Sequence, residues 1–263
     1  MKRITSCLLA LFCLPVLAEV QTREVVYEDG GTRLVAYLAW DDALVKVDQA
    51  GAAAGVLLVH QWMGLTDYEK GRARQLAELG YVAFALDIYG EANRPSDRRE
   101  AGQMAGKFKS DRQLFRKRLN LGLEQLVALP FVNGQRVAAI GYCFGGTGVL
   151  ELARSGADVA GVVSFHGGLD SAGPDSGKDI TAKVLICHGA DDPYVPQEGI
   201  DAMVEEFNAN EVDWQMISYS GAVHSFTQPM AGNDPNSGAR YNAAADARSW
   251  GHMLLFFDET LGE

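Results

Sequence analysis

Gly141-Tyr142-Cys143-Phe144-Gly145-Gly146 sets a thiol among glycines directly after the apolar run Arg136 to Ile140. A strand that ends in a glycine-flanked nucleophile and turns at once into a helix presents that nucleophile on a strained backbone, where neighbouring elements leave no room for other side chains. A glycine-rich turn holding a buried cysteine would give the same hexapeptide, since free cysteine is among the most buried residue types. The rest of the chain separates the two readings, by whether it supplies an acid and a histidine.

It supplies both, in order. After the strand pattern Val184 to Cys187 comes His188-Gly189-Ala190-Asp191-Asp192-Pro193-Tyr194-Val195-Pro196, in which Asp192 stands three residues past the glycine. After Asp213 to Tyr219 comes Gly221-Ala222-Val223-His224-Ser225-Phe226. A nucleophile, an acid and a histidine, each following its own apolar strand, form a nucleophile–base–orienter set. Asp191 is the rival acid and loses on spacing. His60, His166 and His188 also end apolar runs and read as pocket lining or hydrogen-bond supports, and His252 as part of a terminal helix.

The chemistry explains these residue types. A free thiol, with a pKa of about 8.5, is only a few per cent thiolate at neutral pH, so Cys143 needs the base or positive charge that His224 offers. Asp192 would accept a hydrogen bond from the far ring nitrogen and stabilise the imidazolium. A helix leaving the elbow points its positive end at the sulfur. An oxyanion needs two backbone donors, one after the nucleophile and one from an earlier loop, and Phe144 and Trp62 fill those places.

The elements that must carry these residues alternate along the chain. Glu24 to Glu28 and Thr32 to Trp40 alternate in polarity around Asp29-Gly30-Gly31 and read as an antiparallel hairpin. Gly55 to Val59, Tyr81 to Leu86, Arg136 to Ile140, Val159 to Phe165 and Lys183 to Cys187 are apolar runs of buried strands. Thr66-Asp67-Tyr68-Glu69 is a capping box that opens a helix ending near Gly80. Further helices are expected over Leu114 to Leu129, Gly146 to Arg154, Gln197 to Ala209 and Arg240 to Leu261, with Glu91 to Arg99 as loop. Strands alternating with helices give an α/β fold: a mostly parallel central sheet, helices on both faces, and the N-terminal antiparallel hairpin.

Length and charge narrow the classes. The 263 residues, 48% hydrophobic and without repeats, suit one domain over residues 19–263. Residues 1–18 read as a cleavable secretory signal, with Lys2 and Arg3, the apolar run Cys7 to Leu17, and Ala18 at the cleavage site. That run is too short for the roughly 20 residues of a spanning helix, so no stable membrane anchor is expected and the mature protein is placed in the periplasm or outside the cell. Loss of Lys2 and Arg3 deepens the formal net charge of −11 and argues against nucleic acid as a partner. Cys143 and Cys187 would then be the remaining cysteines, and a strand between them, at about 4.8 Å per strand, puts them beyond disulfide reach.

Val59-His60-Gln61-Trp62-Met63-Gly64-Leu65, the Cys143 elbow, the Asp192 and His224 segments, and Gly80 to Gly90 together resemble the dienelactone hydrolase family (carboxymethylenebutenolidases) of the α/β-hydrolase superfamily. The resemblance spans nearly all of residues 19–263. It implies a thiol hydrolase with no cofactor and no metal that opens lactones or cleaves small esters through an acyl-cysteine intermediate, as a monomer or small oligomer. Two positions depart from the family. Gln61 stands where members carry a glutamate that holds the resting thiol, and an amide cannot act as that carboxylate. Cys143 is therefore expected to pair with His224 even without substrate. Gln228 stands where the dienelactone enzymes carry a substrate-binding arginine, which leaves Arg98 or Arg99 as candidate cations.

The expected substrate is a small ester or lactone. Gln61, Trp62, Tyr142, Phe165 and Phe226 are expected to line its pocket, under the loops Glu91 to Arg99, Gly167 to Asp179 and Gln228 to Gly238. A peptidase or thioesterase on the same framework is the nearer alternative. A non-catalytic envelope binding protein is the alternative from another class, and loss of turnover on Cys143→Ala separates it from an enzyme.

Overall fold

The computed structural model describes residues 20–45 and 53–262; the expected leader, residues 1–18, lies outside them. Strand β1 (Val20–Asp29) pairs antiparallel with β2 (Thr32–Asp41) around Gly30 and Gly31. Their φ values of 53° and 81° are those a two-residue hairpin demands. The other strands are β3 (Ala53–Val59), β4 (Val82–Ala85), β5 (Val132–Tyr142), β6 (Gly161–Phe165), β7 (Lys183–Gly189) and β8 (Trp214–Tyr219). They complete one eight-stranded sheet in the order β1-β2-β4-β3-β5-β6-β7-β8. Every pairing from β4 to β8 is parallel, and β2 runs against both of its neighbours.

The central strands read as unbroken apolar runs because both faces are covered. Val56, Leu57, Leu58 and Val59 of β3 are fully buried. Leu57 and Val59 face one core and Val56 and Leu58 the other, as the two-residue period of a strand requires. Fully burying such a side chain contributes about 1.5 to 3 kcal/mol, so this strand anchors the sheet. Helices α1 (Asp67–Ala77) and α6 (Ala243–Leu261) cover one face. Helices α3 (Arg112–Val127), α4 (Phe144–Arg154) and α5 (Gln197–Ala209) cover the other.

Thr66 and Glu69 form the expected capping box at the start of α1. The segment expected as loop from Glu91 to Arg99 is loop only in part. One 3-10 turn occupies Glu91–Asn93, and a helix not anticipated from the sequence, α2 (Arg98–Ser110), begins where Asp97 accepts the Glu100 N–H at 2.8 Å. Phe108 of α2 packs into the same core as α3 and α4.

Candidate functional site

Parallel strands that all deliver their carboxyl ends to one edge concentrate their exit loops there. Cys143 leaves β5, Asp192 follows β7 and His224 follows β8. Cys143 occupies the cap position of α4 with φ of 55° and ψ of −112°. A non-glycine residue in that region costs about 1 kcal/mol or more and persists only when its surroundings enforce it. Here the enforcement is steric. A Cβ on Gly141 would lie 2.0 Å from the Gly145 carbonyl oxygen, and one on Gly145 would lie 2.2 Å from the Val59 carbonyl oxygen. Glycine at both positions lets the first turn of α4 seat against the end of β3, bringing Phe144 beside the loop that holds Trp62.

The three side chains meet. His224 Nε2 lies 3.1 Å from Cys143 Sγ, and His224 Nδ1 lies 2.9 Å from Asp192 Oδ2. Asp192 is buried, and its other oxygen accepts the Tyr194 N–H at 2.9 Å; Asp191 beside it is exposed. His224 is pinned by its own backbone as well. It bonds to Gly238 and Arg240 and forms a parallel bridge with Ala239, so the chain beyond Gln228 folds back over it.

Burial alone would push the Cys143 thiol up. The hydrogen bond and charge of His224, the charge of Lys109 on α2 and the Phe144 N–H outweigh it and hold the thiol below its ordinary value. Burial likewise pulls His224 down, and its bonds to Asp192 and Cys143 override this, raising the imidazole to about 10. The favoured state is thiolate with imidazolium, which the positive end of α4 also supports. Such a pair is equipped to attack an electrophilic carbonyl or phosphoryl centre and then protonate a leaving oxygen.

The Trp62 loop is held from beneath. Glu69 is fully buried and accepts from the Gln61 N–H at 3.1 Å as well as the Thr66 N–H at 2.9 Å. The Tyr89 hydroxyl donates to the Trp62 carbonyl at 3.1 Å. His60 accepts the Ile88 N–H on Nε2 and directs Nδ1 at the Gln61 carbonyl, so the ring is neutral, and burial lowers its pKa accordingly.

Other expected residues sit elsewhere. Tyr142, Phe165 and Phe226, expected to line the pocket, are almost wholly inaccessible and belong to the core between the sheet and helices α1 and α6. Tyr142 stacks on Phe165 with centroids 4.7 Å apart. Gln61 is also buried, with 7% exposure, whereas Trp62 is partly exposed. The Gln228 side chain accepts from the Met230 N–H within its own loop. Arg98 and Arg99 begin α2, about 16 Å along the helix from Lys109, the α2 residue whose charge reaches Cys143. Lys109 was not singled out from the sequence, because the helix that carries it was not.

Cys143 and Cys187 flank β6, which lies between β5 and β7, and both are free thiols. Among the described residues no His, Cys, Asp or Glu cluster has the makings of a metal site, and no helix is long and apolar enough to cross a membrane.

The dienelactone hydrolase family model matches residues 41–261. The crystal structure of a dienelactone hydrolase-like promiscuous phosphotriesterase from metagenomic libraries is similar, with 41% identity and a TM-score of 0.85, over 92% of this chain and 98% of that one. Carboxymethylenebutenolidase 1 of Cupriavidus pinatubonensis is 28% identical over 77% of this chain and 86% of its own length. An uncharacterized protein of Caenorhabditis elegans is 36% identical over 54% of this chain and 91% of its own length.

Proposed function

The chain belongs to the dienelactone hydrolase family, and from that premise we propose a cofactor-free thiol hydrolase that cleaves ester or lactone bonds of small molecules through an acyl-cysteine intermediate. The observation that carries the reading is the continuous contact from Cys143 through His224 to Asp192, at 3.1 and 2.9 Å.

In this mechanism the Cys143 thiolate adds to the substrate carbonyl carbon, and the oxyanion accepts hydrogen bonds from the Phe144 and Trp62 N–H groups. The C–O bond breaks, the leaving oxygen takes the proton from His224 Nε2, and a thioester remains on Cys143. Neutral His224 then removes a proton from water as it attacks the thioester. Collapse of the second tetrahedral adduct releases the acid and restores the thiolate and imidazolium. Asp192 holds the ring tautomer throughout.

Gln228 offers no cation for a substrate carboxylate, so neutral esters and lactones are the first substrates to assay. The thiolate and the likeness to a phosphotriesterase support aryl phosphotriesters as a second class. The Lys2, Arg3 and Ala18 pattern supports export to the periplasm. The test is a panel of p-nitrophenyl esters of graded acyl length, simple lactones and an aryl phosphotriester, with wild type and Cys143→Ala. Intact mass should show one acyl adduct on Cys143 in wild type, and the variant should lose about a thousandfold or more in turnover. Undiminished turnover by Cys143→Ala would remove the thiol from the mechanism.

A further inference from the structure

His224 is carried by the loop beyond β8, whose backbone is held beside it by the bridge to Ala239. The segment beyond β8 passes through Ser225 at φ of 56°, a left-handed value that a non-glycine residue keeps only when its surroundings hold it. Thr227, three residues past the imidazole, is the point where that loop is tied down. It is 1% exposed, and its carbonyl accepts from Arg72 Nη2 at 3.2 Å and from the Tyr68 hydroxyl at 3.3 Å. Its hydroxyl lies 2.7 Å from the Tyr68 hydroxyl and 2.8 Å from His166 Nε2. Arg72 pairs in turn with Asp246 on α6. Thr227 thus ties the loop to α1, to the end of β6 and, through Arg72, to α6.

His166 closes the chain at the catalytic end. It stands just beyond β6 at φ of 42°, is 1% exposed, and packs its ring against that of His224 with centroids 5.3 Å apart and planes inclined at 64°. A guanidinium only donates, which fixes the direction of the first link. Arg72 Nε donates to the Tyr68 oxygen at 3.3 Å, and the chain continues from the Tyr68 hydroxyl through the Thr227 hydroxyl to His166 Nε2. His166 ends the chain as a neutral ring. Burial, then the adjacent His224 charge, pushes it well below the ordinary histidine range, which agrees with that assignment. A charged ring there would repel the imidazolium. The other groups around His224 are Cys143, Asp192, the Tyr194 ring and His188.

We propose that Tyr68, Thr227 and His166 are positioning residues: they clamp the His224 loop so that the imidazole reaches Cys143 and Asp192 at once. The proposal rests on the thiol-hydrolase reading for its kinetic part only. Thr227→Val removes the hydroxyl while keeping the shape, Thr227→Ser restores it, and Tyr68→Phe breaks the chain one link earlier. For Thr227→Val a misplaced imidazole should lower kcat by about tenfold with KM nearly unchanged. Cys143 alkylation by iodoacetamide, followed against pH, should shift toward the profile of a free thiol titrating at about 8.5. Tyr68→Phe should move both readouts the same way, and Thr227→Ser should return them to wild type.

If Thr227→Val and Tyr68→Phe fold, keep the wild-type kcat and keep the wild-type alkylation profile, the clamp does not position His224. Should Thr227→Val fail to fold, Tyr68→Phe alone decides by the same two readouts. If wild type turns over none of the ester panel while Thr227→Val still shifts the alkylation profile, the substrate reading falls and the clamp stands.

Discussion

A thiol serves as a nucleophile only after it loses its proton, and an imidazole serves as an acid only while it keeps one. The pairing at Cys143 meets both needs across a wide pH range. With His224 raised to about 10, its proton is present below that value and lost as pH rises through it. Lactone opening, which must protonate an alkoxide, should therefore lose kcat/KM above about pH 10. A p-nitrophenyl ester, whose leaving group needs no proton, should keep its kcat/KM through that range. Parallel pH profiles for the two substrates would mean that His224 is not the acid. No carboxylate stands at position 61 to compete for this pair, since the residue there is Gln61.

At the scale of elements, the site depends on helix ends and loops set by tight packing. Lys109 near the C-terminus of α2 adds a positive charge that helps hold the thiol down. Lys109→Gln should slow Cys143 alkylation at neutral pH, and salt should reduce the difference between the two proteins, because Lys109 is exposed and its field is screened. Equal rates at low salt would show that its charge does not reach the sulfur.

This element also shows where the sequence becomes hard to read. The order of strands and helices, the elbow and the three side chains that meet at its rim could be traced, because buried parallel strands are continuous apolar runs and glycine marks the turns. Helix α2 escaped notice because its buried stripe is Ala101, Ala105 and Phe108, two of them too small to register as an apolar face. Tyr142, Phe165 and Phe226 show the other limit. Hydropathy marks a residue as apolar, but which side of a strand end faces the pocket depends on the twist of the exit loop. Thr227 and Tyr68 carry no sequence signal, because each acts through partners more than a hundred residues away in at least one direction.

In the molecule as a whole, helix α4, which starts at Cys143, is fixed at both ends. Glycines seat its first turn, and Arg154 fixes its last. Arg154 Nε and Nη2 each lie 2.7 Å from a Glu206 oxygen on α5, while Nη1 lies 2.9 Å from Glu151. All three side chains are nearly inaccessible, and although Glu151 keeps Arg116 at 2.8 Å, removing the arginine leaves the buried Glu206 without its counter-ion. Arg154→Met should cost about 3 to 5 kcal/mol in urea denaturation, and adding Glu206→Leu should recover part of it. A loss near zero for the single variant would mean that water reaches this network.

The separation of the two sulfurs by β6 governs how this protein meets oxidants. Cys187 is buried, bonded to the Tyr219 hydroxyl and pushed up to about 12, so it is a poor attacking thiol even apart from its distance. Among the described residues, a sulfenic acid formed on Cys143 by peroxide has no second cysteine within reach with which to condense. Its fate passes to small thiols in the surrounding medium, and where they are scarce the next step is the irreversible sulfinic acid. The anionic state that makes the sulfur a strong nucleophile also opens it to oxidation, and Cys187 offers it no route of repair.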